Sequence, residues 1–161
     1  MKFTLLGLLC CAGLLLGQSS DPDQKFSELS PEDSLRLDQQ RALVAAAATH
    51  RYGTALTRTK KDLPTLQRLL DDKAFTKSQT YELQSLGVAF GDVLASELSL
   101  RWVMITDEYG TDPTLRFKDT SININAVTMI SKRVERDQPV DVFWLLQKNR
   151  AALSNAQKKL H

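Results

Sequence analysis

RWVMITDEYGTDPTLRF, Arg101 to Phe117, decides the fold. Trp102, Val103, Met104 and Ile105 form an apolar run of four, too short for a helix and suited to a central strand covered on both faces. Leu115 and Phe117 then alternate with Arg116 and Lys118, the period of a half-buried strand. Between the two lie Asp107, Glu108, Tyr109, Gly110, Asp112 and Pro113, residues that reverse a chain. A third alternation follows in SININAV, where Ile122, Ile124 and Ala126 oppose Asn123 and Asn125. The pattern predicts an antiparallel meander of about three strands.

On either side of the meander the apolar period is helical. Upstream, Ser30 is placed to cap a helix, Pro31 takes a first-turn position that needs no amide hydrogen, and Glu32 and Asp33 suit the positive end of the dipole. Leu35, Gln39, Ala42, Leu43, Ala46 and His50 follow at helical spacing, and Gly53 is a natural stop. Asp62 is the expected cap of a short helix carrying the stripe Leu63, Leu66 and Leu70. Thr76 and Gln79 read as a capping box for a longer one with Leu83, Leu86, Phe90, Val93, Leu94 and Leu98 inward. Gly87 and Gly91 lie nearly on one face of it. A helix glycine costs about 1 kcal/mol against alanine, so two of them predict a neighbouring backbone pressed close. Downstream, TMISKRVERD is a short helix with Met129, Ile130 and Val134 inward. Pro139 interrupts, and Asp141 caps a last helix through Val142, Leu145, Leu146, Leu153, Ala156 and Leu160. The fold class is α+β, with N-terminal helices, one small antiparallel sheet and C-terminal helices.

Residues 1–19 stand apart from this plan. Lys2, an apolar run from Phe3 to Leu16 and then Gly17-Gln18-Ser19 have the layout of a secretory signal peptide, with cleavage expected after Ser19. As a helix the apolar run would reach about 21 Å, short of a hydrocarbon core of roughly 30 Å, so no lasting membrane anchor is expected. Leu9 before Cys10, and Cys10 before Cys11, do not suit lipoprotein processing. Residues 20–29 read as a flexible lead-in and 30–161 as a single domain. Both cysteines fall in the leader, so the mature chain is expected to carry no disulfide, thiolate nucleophile or thiolate ligand.

The chemistry left is sparse. Without Lys2, 20 basic residues face 19 acidic ones, a balance that gives no general affinity for nucleic acid. His50 and His161 are the only histidines, at a helix end and at the chain terminus, so no Ser/His/Asp arrangement is expected. No zinc spacing and no phosphate-cradling glycine loop occur, and neither metal nor cofactor is expected. The acidic turn lacks the alternate ligands and distant glutamate of a calcium loop. Adjacent Asp107 and Glu108 would point to opposite sides of an extended chain, which argues against a glycosidase pair. On the structural reading these carboxylates pair with Arg116, Lys132 or Arg133.

The pieces ELQSLGVAFGDVLASELSLRWVMITDEYGTDPTLRF and TMISKRVE, in this order, resemble a bacterial family of unknown function, domain-of-unknown-function family 3806, over about residues 63–146. That resemblance implies no activity, substrate or cofactor. Function is therefore read from the exported, balanced chain: a non-catalytic binding protein of the bacterial envelope, periplasmic or secreted, whose partner is an envelope protein or a small polar ligand. Its candidate surface is Asp107, Glu108, Tyr109, Asp112, Arg116, Asn123, Asn125 and Arg133, with Tyr109 as anchor. Two alternatives are an immunity or inhibitor protein that blocks a basic cleft with the acidic turn, and an envelope-polymer hydrolase using Asp107, Glu108 or Asp112.

Overall fold

A computed structural model describes residues 24–159; the leader and its cleavage point lie outside them. The described residues form five α-helices and one antiparallel sheet. In chain order these are β1 (Lys25–Ser27), α1 (Pro31–Tyr52), α2 (Leu63–Asp71), α3 (Thr80–Leu98), β2 (Leu100–Asp107), β3 (Gly110–Phe117), β4 (Asn123–Ile124), α4 (Val127–Glu135) and α5 (Val142–Lys158).

The sheet order is β1-β2-β3-β4. Four strands stand where about three were expected, because part of the stretch read as a flexible lead-in pairs with β2, Phe26 opposite Ile105. Three residues are too few to show a period, and Lys25-Phe26-Ser27 is mostly polar. At the other edge β4 is only two residues long, with Asn123 opposite Arg116 and Ile124 opposite Leu115. Pro113 sits opposite Met104, beyond the end of β4, where β3 has β2 on one side and no partner strand among the described residues on the other. A residue without an amide hydrogen is tolerated at such an edge.

The helix ends follow the expected chemistry in three places. Ser30 and Asp33 form a reciprocal capping box, Gly53 closes α1 in the left-handed region at φ 65°, and Asp141 accepts from Trp144 N at 2.9 Å. Two expected caps differ. Asp62 does not cap α2; it ends a 3₁₀ turn at Lys60–Asp62, and its side chain turns back to Thr57 and Arg58. Thr76 and Gln79 do bond, with Thr76 N to Gln79 Oε1 at 2.9 Å, but they close the turn before α3, which begins at Thr80.

The core centres on α3, buried without a break from Ser85 to Leu94. A helix apolar on every side belongs inside a domain, and α3 packs against α1, α4 and β2. Its glycines behave as the spacing required. A Cβ on Gly87 would lie 2.1 Å from the carbonyl oxygen of Val127, so the backbone entering α4 passes directly over it. A Cβ on Gly91 would lie 2.5 Å from the indole of Trp102. The stripe that α1 buries is Leu37, Gln40, Val44 and Ala48, rotated from the expected one; Leu35 is exposed. An alanine-rich helix has little contrast between faces, so its phase is set by the partner helix. In α2 the buried leucines are Leu63, Leu66 and Leu69, with Leu70 only half-buried.

Candidate functional site

The expected binding residues fall into three places. Glu108 and Tyr109 are the two residues at the tip of the β2–β3 hairpin, between the paired Asp107 and Gly110. Asp107 Oδ1 accepts from Tyr109 N at 2.8 Å, which ties the turn to its own side chain. Gly110, at φ 134°, supplies a backbone angle that a side chain would disfavour. Below the tip the Thr106 and Thr111 hydroxyls bond at 2.9 Å, and Asp112 stands exposed opposite Ile105. Tyr109 is 86% exposed.

Arg116 and Asn123 form the second place, side by side in register. Arg116 Nε donates to the Thr120 carbonyl at 2.6 Å, and its guanidinium lies 4.2 Å from the centre of the Phe26 ring. Phe26 belongs to β1 and Arg116 to β3, so the stack bridges across β2. It roofs Val103 and Thr114, both buried on the face of the sheet turned away from Trp102 and α3. Arg101 on the same face reaches Glu28 and, at 3.0 Å, Asp119. These two partners raise its pKa. Asn125 lies past β4 and accepts from the Thr128 hydroxyl at 3.4 Å.

Arg133 is apart from both. It belongs to α4, which packs on α3, and it donates to the Met129 carbonyl; burial lowers its pKa. The expected pairing of the turn does not form. Among the described residues, Asp107, Glu108 and Asp112 make no ion pair with Arg116, Lys132 or Arg133.

A site of another kind lies between α1, α3 and the connector before α2. Asp92 projects from the middle of α3 and is 7% exposed. Arg41 of α1 clamps it with one edge of its guanidinium, Nε to Oδ2 at 2.7 Å and Nη2 to Oδ1 at 2.8 Å. The Trp102 indole donates to Oδ1 at 2.9 Å, and the missing side chain of Gly91 lets that ring lie against the helix one residue away. Arg41 also donates to Asp38 at 2.9 Å. Burial pulls the Arg41 pKa down, but its bonds to Asp92 and Asp38 outweigh this and hold it above its ordinary value. Both oxygens of the Asp92 carboxylate and all three nitrogens of Arg41 are hydrogen-bonded, the arrangement a buried charge requires.

Beside this clamp opens a cleft of about 300 Å³. Ala42 and Ala45 line it from α1, Leu56 and Arg58 from the connector, and Ala89 from α3. The connector is held rigidly. The Asp62 carboxylate accepts from Thr57 N at 2.8 and 3.0 Å, from the Thr57 hydroxyl at 2.8 Å and from Arg58 N at 2.7 Å. Arg58 is thereby kept at φ 59°, a left-handed angle uncommon for a residue with a Cβ, which these local bonds hold in place. None of the hairpin residues lines this cleft.

Reading along the chain missed the cleft, since Arg41 and Asp92 are 51 positions apart. One signal was present: Asp92 stands alone between Phe90-Gly91 and Val93-Leu94. A carboxylate at a core position needs a cationic partner, and α1 offered Arg41. Among the described residues no three His, Cys, Asp or Glu side chains gather where they could hold a metal ion, and no helix is long and apolar enough to cross a membrane.

Residues 62–145, just over half of the chain, match the family described as Domain of unknown function (DUF3806). The chain belongs to that family. A crystal structure of a protein from Bacteroides thetaiotaomicron VPI-5482, determined at 1.50 Å, is similar in fold, with a TM-score of 0.71 and 14% identity. The similarity covers 78% of this chain and 47% of that one, so the chain spans about half the length of its structural neighbour. No curated protein matches the sequence.

Proposed function

We propose that this protein is an exported, non-catalytic binding protein of the bacterial envelope, and that it grips a protein partner with the β2–β3 hairpin. One observation carries the reading: Tyr109 stands 86% exposed at the tip of a hairpin that is held in register down to its last pair. A rigid aromatic side chain with a polar end loses little freedom on binding, which is why tyrosine anchors interfaces. Glu108 and Asp112 beside it are exposed and form no ion pair among the described residues, so they are available to a basic partner surface. Export rests on the apolar leader, and the lack of catalysis on a mature chain without thiols and with His50 at the exposed end of α1.

The hydrolase reading is less favoured. The carboxylates at the tip do not line the cleft, and Asp107 is engaged with its own turn. An inhibitor role would use the same hairpin, and only the partner's identity separates it from the main reading.

A photo-crosslinker placed at position 109, in cells, tests the hairpin. A defined adduct is expected that disappears with Glu108→Ala and Asp112→Ala and does not form from position 147 on α5. Adducts that are indifferent to those changes would refute the surface. Recovery of the protein from the periplasm or medium with Ser20 as its first residue supports export; cytosolic protein that retains Met1 would refute it.

A further inference from the structure

We infer that the cleft between α1, α3 and the connector is a second binding site, for a small zwitterion of the size of an amino acid or dipeptide. Most of the charges in the cleft are already satisfied within the protein. Asp92 takes two bonds from one edge of Arg41 and one from the Trp102 indole, and Asp62 takes four bonds from Thr57 and Arg58. Each of the three Arg41 nitrogens is engaged with Asp92 or Asp38.

Two charges remain with capacity for a ligand, and they have opposite sign. The Arg58 side chain is 63% exposed and reaches Asp92 only at 3.9 Å, beyond hydrogen-bond distance, so its donors keep capacity for a ligand. The Asp38 side chain is 59% exposed and gives one oxygen to Arg41, leaving further acceptor positions. Both residues line the cleft. The series Asp38, Arg41, Asp92, Arg58 is a continuous run of alternating charge, whose two ends are the open ones. A carboxylate on Arg58 and an ammonium on Asp38 complete that alternation.

The lining between the ends sets the rest of the ligand. Ala42, Ala45, Ala89 and Leu56 supply the apolar part of the lining, mostly methyl groups, and the other charged residues there, Arg41, Asp62 and Asp92, are already hydrogen-bonded within the protein. A volume near 300 Å³ lies at the lower end of metabolite pockets. Small aliphatic side chains fit both constraints. The bonds from Asp62 hold the Arg58 backbone at the rim of the cleft, so the side chain starts from a fixed point there. This site is separate from the hairpin and stands whether or not the hairpin binds a protein.

The test is an NMR titration of the full mature chain with four probes: alanine, dialanine, N-acetylalanine and alanine amide. Alanine or dialanine, or both, should shift the amides of Ala42, Ala45 and Ala89 in a saturable way. The better of the two identifies a free amino acid or a peptide as the source of the zwitterion. N-acetylalanine lacks the ammonium and alanine amide the carboxylate, so each should bind at least tenfold more weakly, about 1.4 kcal/mol. Arg58→Gln and Asp38→Asn, both at exposed positions, should each cost a similar factor while leaving the spectrum otherwise folded. No saturable shift at these three alanines with either zwitterion would overturn the inference. So would equal binding of a single-charge probe, or binding indifferent to both substitutions.

Discussion

The hairpin and the cleft hold comparable numbers of charged groups and use them in opposite ways. At the hairpin, three carboxylates lie within six residues of sequence, Glu108 and Asp112 exposed and Asp107 half-buried, without a cationic partner among the described residues. In the cleft, Asp92 is buried and held by two bonds from Arg41 and one from Trp102. Local density of charge marks a surface that has kept its water. Convergence of charge from distant segments marks a place where water has been replaced by protein, and where each group depends on the others.

That difference makes Asp92 the position of largest expected effect. Asp92→Ala removes the acceptor for a mostly buried guanidinium and for the Trp102 indole together. Breaking a buried pair from one side costs roughly 3–5 kcal/mol, and the 16% exposure of the Arg41 side chain places this site at the lower end, about 3 kcal/mol. Urea unfolding followed by circular dichroism measures it. A loss under about 1 kcal/mol would show that the pair behaves like a surface bridge. Arg58, 3.9 Å from Asp92, sharpens the point. It can swing inward when Arg41 is lost, so Arg41→Ala with Arg58→Ala should cost more than the two single changes added together.

Gly87→Ala probes the other flank of the same helix. The added Cβ would meet the Val127 carbonyl at 2.1 Å, and a backbone oxygen at the start of α4 has no rotamer by which to give way. Helix propensity alone would favour alanine by about 1 kcal/mol. Overpacking costs about 1–3 kcal/mol, and against fixed backbone the upper part of that range applies, leaving a net loss near 2 kcal/mol. A stabilised variant in the same unfolding assay would mean that α4 is free to move off α3.

What could be read in advance divides along the same line as the two sites. The strand Trp102–Ile105, the hairpin, the core face of α3 and the caps at Ser30 and Asp141 are local statements, each complete within one continuous stretch of fewer than twenty residues. Even the close approach at Gly87 was legible, because two glycines in an apolar helix have a cost that only packing offsets. The missed features are those whose meaning depends on a distant partner. Phe26 makes a strand only because Ile105 is beside it. The alanines of α1 carry no phase of their own, so which of them face the core and which line the cleft depends on α3. Asp62 has the chemistry of a helix cap and is used to pin Thr57 and Arg58. The candidate hairpin residues were located correctly as a turn, but the strand pair Arg116 and Asn123, and Arg133 on α4, do not join them in one patch.

A carboxylate with only local partners, Ser30 and Arg36, lies between the two extremes. The Ser30 hydroxyl donates to Asp33 at 2.7 Å and is the main cause that holds the Asp33 pKa below its ordinary value; burial pushes the other way, and the Ser30 amide and Arg36 assist. A depressed carboxylate contributes stability that is present above its unfolded-state pKa and is lost as pH falls through the folded value. Ser30→Ala should cost about 1 kcal/mol near neutral pH as a lost N-cap. The gap between variant and parent should narrow in acid, where Asp33 is protonated in both. Unfolding curves at neutral pH and near pH 3 give the comparison, and a gap that widens in acid would contradict the assignment.

The smallest effect on stability is expected at the hairpin. Replacing Glu108, Tyr109 and Asp112 together by alanine removes side chains that stand in solvent, so unfolding should change by no more than about 0.5 kcal/mol. Asp107 is left in place because its bond to Tyr109 N shapes the turn, and that bond uses only the backbone of position 109. If the triple variant unfolds like the parent and loses the adduct formed from a crosslinker on the adjacent Thr111, the tip is a surface kept for a partner. If it is destabilised by as much as Asp92→Ala, the hairpin is a structural corner whose side chains support the sheet, and the contrast between the two sites collapses.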